Sequence, residues 1–512
     1  MKIDALIAAL KDGRLDIECA EMSLRQRTGT NPISFRGTGR IRQSSEGVLE
    51  FELRANEYKN TDMVSYFNEF MSVKPGTLID EKRYYDLHVR GADGLGWVAE
   101  RIRINPNWPG SDGSPTITGQ LSVLTTSQAG TGPGHWLQIH FFEDVEVPTI
   151  MGSYKFSAID SDFTVQKHDH EFVVEVHSPT PLGENLYLRI QEALMFLLAQ
   201  SVKWRAIVTH DGSRQRLELG SAVPRSLHTR IDPPIARPHH AHLLDLWNMF
   251  SRYLEYVVKT TPHPHWSRCS YDLLNAREAS TNSIDAWSIG LGVAVEGIAS
   301  NIRVEKTRAE KKLLANLQKS ILKHVASEPR FAPFTKRLTG LLGMMSQDRL
   351  HDRLRPLIDS GHVDPAHLKA WGDLRHKHVH PNVSDLRDVA SADYQALFDL
   401  MSKTTVLMYH VVFYLIGYQG KYTDYGTYGY PLRDYPLAPP KISVAPKVSG
   451  FRRALRKAIA FLLRMIGRLG PIKSDGIPGD ASSQAGVTSL SWRLEPAGEA
   501  ATPLSDDDPA RR

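Results

Sequence analysis

The spacing of apolar residues changes character at one place in this 512-residue chain, the proline-rich stretch IDPPIARPHH at residues 231–240. That switch constrains the fold more than any single motif. Before it, Val48–Leu53, Tyr84–Val89, Ile117–Leu124, Trp136–Phe142 and Glu171–Val176 are short and rich in β-branched or aromatic residues. Gly, Pro, Asp, Asn and Ser clusters divide them, which is the pattern of strands. One helix interrupts: Leu186, Ile190, Ala193, Leu194, Leu197 and Leu198 recur at helical spacing between Glu184 and Val202. Trp204–Thr209 and Arg216–Leu219 flank the turn residues 210–213, as a hairpin requires. After the switch the period becomes helical, over Ala241–Lys259, Ile284–Ala299, Lys306–Val325, Phe331–Met345, Asp364–Val379 and Asp393–Gly417. Asp364 is placed as an N-cap with Pro365 at the first helical position.

The expected architecture is therefore multidomain α+β. A strand-rich domain with a sensing or regulatory role spans 1–230, a linker spans 231–240 and an all-α domain spans 241–437. A mostly disordered tail spans 438–512 and carries a basic amphipathic helix at 451–469. Only two cysteines occur, Cys19 and Cys269, which excludes a disulfide scaffold and a four-cysteine zinc site. There is no apolar run of about 18 residues, and the first apolar stretch is too short for a signal-peptide core. A cytoplasmic protein is expected. The strand-rich part holds no P-loop, dinucleotide fingerprint or serine nucleophile motif, and no cofactor is called for. A formal charge of +5 permits an anionic partner without demanding one.

The stretch WGDLRHKHVHPN, residues 371–382, carries the chemistry. Arg375 and His380 have four residues between them. An arginine and a histidine that converge on a phosphodiester cleave RNA without metal: the imidazole moves a proton and the guanidinium stabilises charge on the phosphoryl oxygens. The nucleophile is the 2′-hydroxyl, so RNA and not DNA is the substrate. The same spacing occurs at Arg83–His88, Arg205–His210 and Arg237–His242. Two of those lie in strand-like segments, where an offset of five points the side chains to opposite faces. The third spans Pro238. In a regular helix five residues are about 140° apart, but Pro381 pushes His380 out of helical geometry, which lets it swing back toward Arg375.

This stretch resembles the Arg-x4–6-His motif of the HEPN superfamily of helical RNases. His376 matches the polar residue that often follows the arginine there. A second likeness is LIGYQGKYTDYGTYGYPLRDYPL, residues 415–437, which looks like the end of the helical domain in ApeA-type anti-phage proteins. A strand-rich region ahead of the helical domain is also similar to that architecture. The resemblance implies a helical bundle that pairs as a homodimer, with one motif from each subunit in a composite cleft. It further implies metal-independent RNA endonuclease activity, used as abortive-infection defence against phage and restrained by the N-terminal domain until an unknown phage component triggers it. Carried over, Arg375 is the phosphate-stabilising residue, His380 the general acid/base and His376 an orienting neighbour.

Glu296, among small and apolar residues of the helix 284–299, is a fourth candidate for the catalytic set, able to orient Arg375 by a charge-assisted hydrogen bond. Lys306, Lys311, Lys312 and Lys377 are candidates for phosphate contact with RNA. Transfer RNA is a candidate target that no recognition element marks. His168–His170, His239–His240–His242 and His263–His265 lack the further ligands of a standard metal site, and no metal is expected. In the helix 451–469, Arg453, Arg456, Lys457, Arg464 and Arg468 oppose Leu455, Ile459, Leu462 and Ile466, a pattern suited to an anionic membrane surface or to a groove on the chain's own N-terminal domain. The alternative to catalysis is a dimerising or nucleotide-binding helical module that docks through this tail helix.

Overall fold

A computed structural model describes residues 3–437, apart from 29–31, 73, 75, 79, 108–113, 131, 143–144, 223–228, 237–241, 304–307, 328, 346–348 and 380–390. The tail helix 451–469 lies outside the described residues.

The chain opens with α1 (Ile3–Lys11) and three antiparallel strands, β1 (Asp16–Gln26), β2 (Ser34–Gln43) and β3 (Leu49–Glu57). After α2 (Asn60–Met71) come β4 (Tyr85–Gly91), β5 (Gly96–Asn107) and β6 (Thr116–Leu121). These six strands run in the order β4-β1-β2-β3-β6-β5 and close through pairing of β4 with β5, giving a six-stranded barrel. Alternation along each strand sends Leu24, Phe35, Ile41, Phe51, Leu53, Leu87 and Trp97 inward, and α1 adds Leu6 and Leu10 to the same core. Closure removes the open edges that a six-stranded sheet would otherwise present.

The sheet then continues. Trp97 and Val98 of β5 pair with β7 (Val123–Ala129). Next come β8 (His135–Phe141), β9 (Ser153–Ala158), β10 (Ser161–His168), β11 (Glu171–Ser178), β12 (Ala206–His210) and β13 (Arg214–Gly220), in the spatial order β7-β13-β12-β8-β11-β10-β9. The hairpin expected around residues 210–213 is β12–β13.

On this second sheet lies α3 (Leu186–Leu198), buried on every side. Helices α4 (Leu243–Thr260), α5 (Arg268–Ser280), α6 (Ile284–Ala299), α7 (Arg308–Ser327), α8 (Thr335–Met345), α9 (Leu350–Asp359), α10 (Pro365–Val379) and α11 (Ser391–Ile416) follow, and the core of α3 is continuous with that of α4, α5, α6, α9, α10 and α11. Phe196 of α3 stacks on Tyr253 of α4 at 4.4 Å. A short hairpin, β14 (Gly420–Thr423) with β15 (Leu432–Tyr435), closes the described chain. The molecule is thus strand-rich first and helical afterwards. No helix among the described residues is long and apolar enough to cross a membrane.

The proline-rich stretch, assigned from composition to a linker, runs as a strap against the helical region up to residue 236. Ile231 and Ile235 are buried. Tyr409 donates to the Asp232 carbonyl, Tyr425 to that of Pro233 at 2.5 Å, and the Thr423 amide to that of Pro234 at 2.9 Å.

Candidate active site

The site is built on two helices. In α10 the backbone amide of Ala366 donates to Asp364 Oδ1 at 2.7 Å, the capping arrangement the sequence announces. The helix buries Leu368, Trp371 and Leu374 and brings Arg375 and His376 to its exposed side.

Partner α6 is set by its own small residues. A Cβ at Gly290 would overlap Ala279, and one at Gly297 would overlap Asp272, so both glycines admit α5 at close range. Leu291, Ala294, Val295 and Ile298 fill the core. Gly292 and Glu296 are left on the side that meets α10.

Two contacts a helical turn apart fix the register. The Trp371 indole N–H donates to the Gly292 carbonyl at 3.2 Å. One turn on, Arg375 Nη1 pairs with Glu296 Oε1 at 2.5 Å. Both contacts advance four residues in the same sense, so α6 and α10 run in the same direction here. The Arg375 guanidinium carbon also lies 5.6 Å from the centre of the Trp371 ring. Ion pair and ring hold the guanidinium in one place, yet its side chain keeps 51% of its exposure and that of Glu296 keeps 37%. A half-exposed, positioned guanidinium is suited to donate to a phosphate oxygen.

The structure brings Arg375 and Glu296 together and places His376 on the exposed side next to them. His380 lies outside the described residues, directly after the end of α10. Lys377 is in α10 and Lys311 in α7, with side chains outside the described residues, and Lys306 is outside them altogether. Lys312 is exposed on α7, a helix that packs toward α8, where Gln318 Nε2 donates to the Leu342 carbonyl at 2.6 Å. The sequence reading gave no part to Trp371. Its offset of four from Arg375 was the available signal, because i and i+4 share a helix face.

Behind the site, α10 and α11 enclose buried histidines. His367 and His410 have ring centres 5.7 Å apart, and among the described residues His410 has no hydrogen-bond partner at either nitrogen. Burial first, then the neighbouring His367 and His362, hold the His410 imidazole well below its ordinary value; burial likewise lowers His367, against the pull of Asp364 and Asp424. Both are buried packing groups. Beside the site, α6 and α11 expose Ile289, Val293, Tyr394 and Phe398, with Phe398 6.3 Å from Trp287.

No family model matches the chain, and no curated protein or solved structure matches it significantly.

Proposed function

We propose that this chain is a metal-independent RNA endonuclease of the HEPN type, active as a homodimer and deployed as an abortive-infection effector restrained by its strand-rich region. The observation that carries the reading is the Arg375 guanidinium, clamped by Glu296 and Trp371 yet half open to solvent, at the end of α10 that leads into His380.

In the proposed reaction His380 takes the proton of a ribose 2′-hydroxyl or delivers one to the leaving 5′-oxygen, and water carries the other of these two protons. The 2′-oxygen attacks phosphorus and the 5′-oxygen leaves, giving a 2′,3′-cyclic phosphate and a 5′-hydroxyl. Arg375 stabilises the charge that gathers on the phosphoryl oxygens. Glu296 is a positioning residue: it holds the guanidinium's orientation through its carboxylate and does not touch RNA. The exposed apolar strip of Ile289, Val293, Tyr394 and Phe398 borders the pair, which suits a second copy docking there and bringing two arginines to one cleft.

The test is cleavage of total RNA in excess chelator by the wild-type chain, Arg375→Ala and His380→Ala. The expected result is cyclic-phosphate ends from the wild type and a loss of about 10²–10³-fold or more in each variant, with unchanged circular dichroism. Equal activity in all three chains defeats the proposal. Loss of function on deleting residues 447–512, with Arg375→Ala unaffected, favours the docking module instead.

A further inference from the structure

The barrel carries a cleft of its own, built from other residues than the Arg375 pair. It measures about 1470 Å³ and lies between the outer wall of β2, β3, β6 and β5 and the described residues between Tyr66 and Tyr85. Strand alternation decides what faces it. Arg40 and Arg42 of β2, Glu50 and Glu52 of β3 and Arg103 of β5 all point away from the barrel core. With Lys74, Arg83 and Arg101, the lining holds six cations against two carboxylates, in a chain whose whole formal charge is +5. Arg42 lies 4.0 Å from Glu50, and Arg101 pairs with Glu81 at 2.7 Å. Arg40, Lys74, Arg83 and Arg103 have no carboxylate partner among the described residues. Like charges gathered in one concavity focus a field that an anion relieves.

A second observation is independent of charge. Strand β5 bulges against β4: Tyr85 faces Ile102, whereas Leu87 faces Ala99. The extra residue includes Arg101, which sits at φ +56°, a left-handed conformation that glycine adopts far more easily than arginine. Bulges re-aim side chains. Here the re-aimed guanidinium lies 5.0 Å over the Tyr84 ring, on the cleft wall. Across the cleft α2 contributes Tyr66, whose hydroxyl donates to the Ile104 carbonyl at 3.2 Å. Cations interleaved with tyrosine rings are the means by which a protein holds a phosphate chain and stacks its bases.

We propose that this cleft binds single-stranded nucleic acid, with phosphates on Arg40, Arg42 and Arg103 and a base against Tyr84. The inference stands apart from the nuclease reading and survives its failure. An acidic peptide or a free polyanion would use the cations and leave the tyrosines idle, and the test separates these.

The full chain is titrated against a fluorescent 12-nucleotide 2′-O-methyl RNA, which has no 2′-hydroxyl to attack, and against DNA of the same sequence. Inorganic polyphosphate serves as competitor. Expected is salt-dependent binding that Arg40→Glu/Arg103→Glu weakens about tenfold or more, with a shallower salt slope by about 1.4 for two lost phosphate contacts on a single strand. Tyr84→Ala is expected to weaken oligonucleotide binding about fivefold or more and to leave polyphosphate binding unchanged. Preference for one of the two sugars identifies the natural strand; equal binding supports recognition of phosphate and base alone. Arg101→Gly keeps the readout interpretable, because it suits the left-handed backbone: melting is expected unchanged or higher while affinity falls. The proposal is overturned if the wild type does not bind, if the charge reversal leaves affinity unchanged in a folded protein, or if polyphosphate displaces the oligonucleotide and Tyr84→Ala has no effect.

Discussion

Single residues decide two separate properties of this chain. The first is stability, concentrated in a buried ion pair of α3. Arg189 pairs with Glu192, both almost wholly buried, and Arg189 Nη2 also donates to the carbonyls of His263 and His265 at 2.7 and 2.5 Å. Glu192 Oε2 accepts from the Ser270 hydroxyl at 2.5 Å and from the Ser267 amide at 3.2 Å. Removing one partner strands the other charge in low dielectric, so Glu192→Ala is expected to lower unfolding free energy by about 3–5 kcal/mol, read by urea denaturation; a change under 1 kcal/mol would show the network to be solvated. The second property is the orientation of Arg375. Glu296→Gln keeps the size of the carboxylate and loses its charge. On the proposed nuclease function, cleavage by this variant is expected to fall about tenfold in kcat with KM little changed, and Glu296→Asp to recover part of it. A merely structural glutamate would instead lower the melting temperature and leave the kcat of the folded fraction alone.

Elements differ in how far the chain announced them. Helix α6 has the bounds expected from its apolar spacing, Ile284–Ala299, and α10 begins one residue after Asp364. Helix α5 was missed because its buried face is Cys269, Ser270, Asp272, Leu273, Ala276, Arg277 and Ser280, which shows no apolar period. Helix α9 was missed for another reason: Pro356 stands inside it, and proline argues against a helix interior. Residues 329–334 form a 3-10 turn ahead of α8 where one longer helix was expected. The packing of α10 against α11 also sets a pH response. His410 and His367 titrate below their ordinary value in the fold, so the unfolded chain binds more protons as pH drops below about 6.5. Their contribution is complete above that pH and is lost on acidification. Stability is expected to fall by up to about 1.4 kcal/mol per pH unit for each histidine, and His410→Phe to flatten the slope between pH 7 and 5 measured by urea titration. An unchanged slope in that variant would assign the acid response to other groups.

The whole molecule joins its second sheet to its helices through one shared core, in which Trp247 and Phe250 of α4 meet the rings of Phe156 and Phe163 directly and α3 is buried. Apolar residues of β8, β10 and β11 meet one face of the core, and α4, α6, α10 and α11 complete it. The barrel core with α1 stands as a separate cluster. Beginning the chain at residue 241 therefore removes α3, the second sheet and the strap 231–236, and exposes Trp247, Phe250, Tyr253 and Leu254 of α4, all buried in the full chain. Such a truncated chain is expected to aggregate or to melt without cooperativity in calorimetry. Phe196→Ala in the full chain is expected to cost about 3–5 kcal/mol and to speed proteolysis of both the second sheet and the helices. A truncated chain that melts cooperatively would show the helical region to be self-sufficient.

Local periodicity was enough to read the change from strands to helices, the hairpin at 210–213, the helix around residues 186–198 and the site helix with its cap, because each is fixed by residues within a few turns of one another. Closure of six strands into a barrel could not be read that way, since pairing β4 with β1 joins partners as far apart in sequence as Cys19 and Gly91. The same holds for the partnership of Glu296 with Arg375, 79 positions apart, and for the two Arg-Ile-Arg stretches at 40–42 and 101–103 that line one cleft. Sequence spacing orders side chains along one element; only tertiary packing chooses which elements face each other, and with them which charges meet.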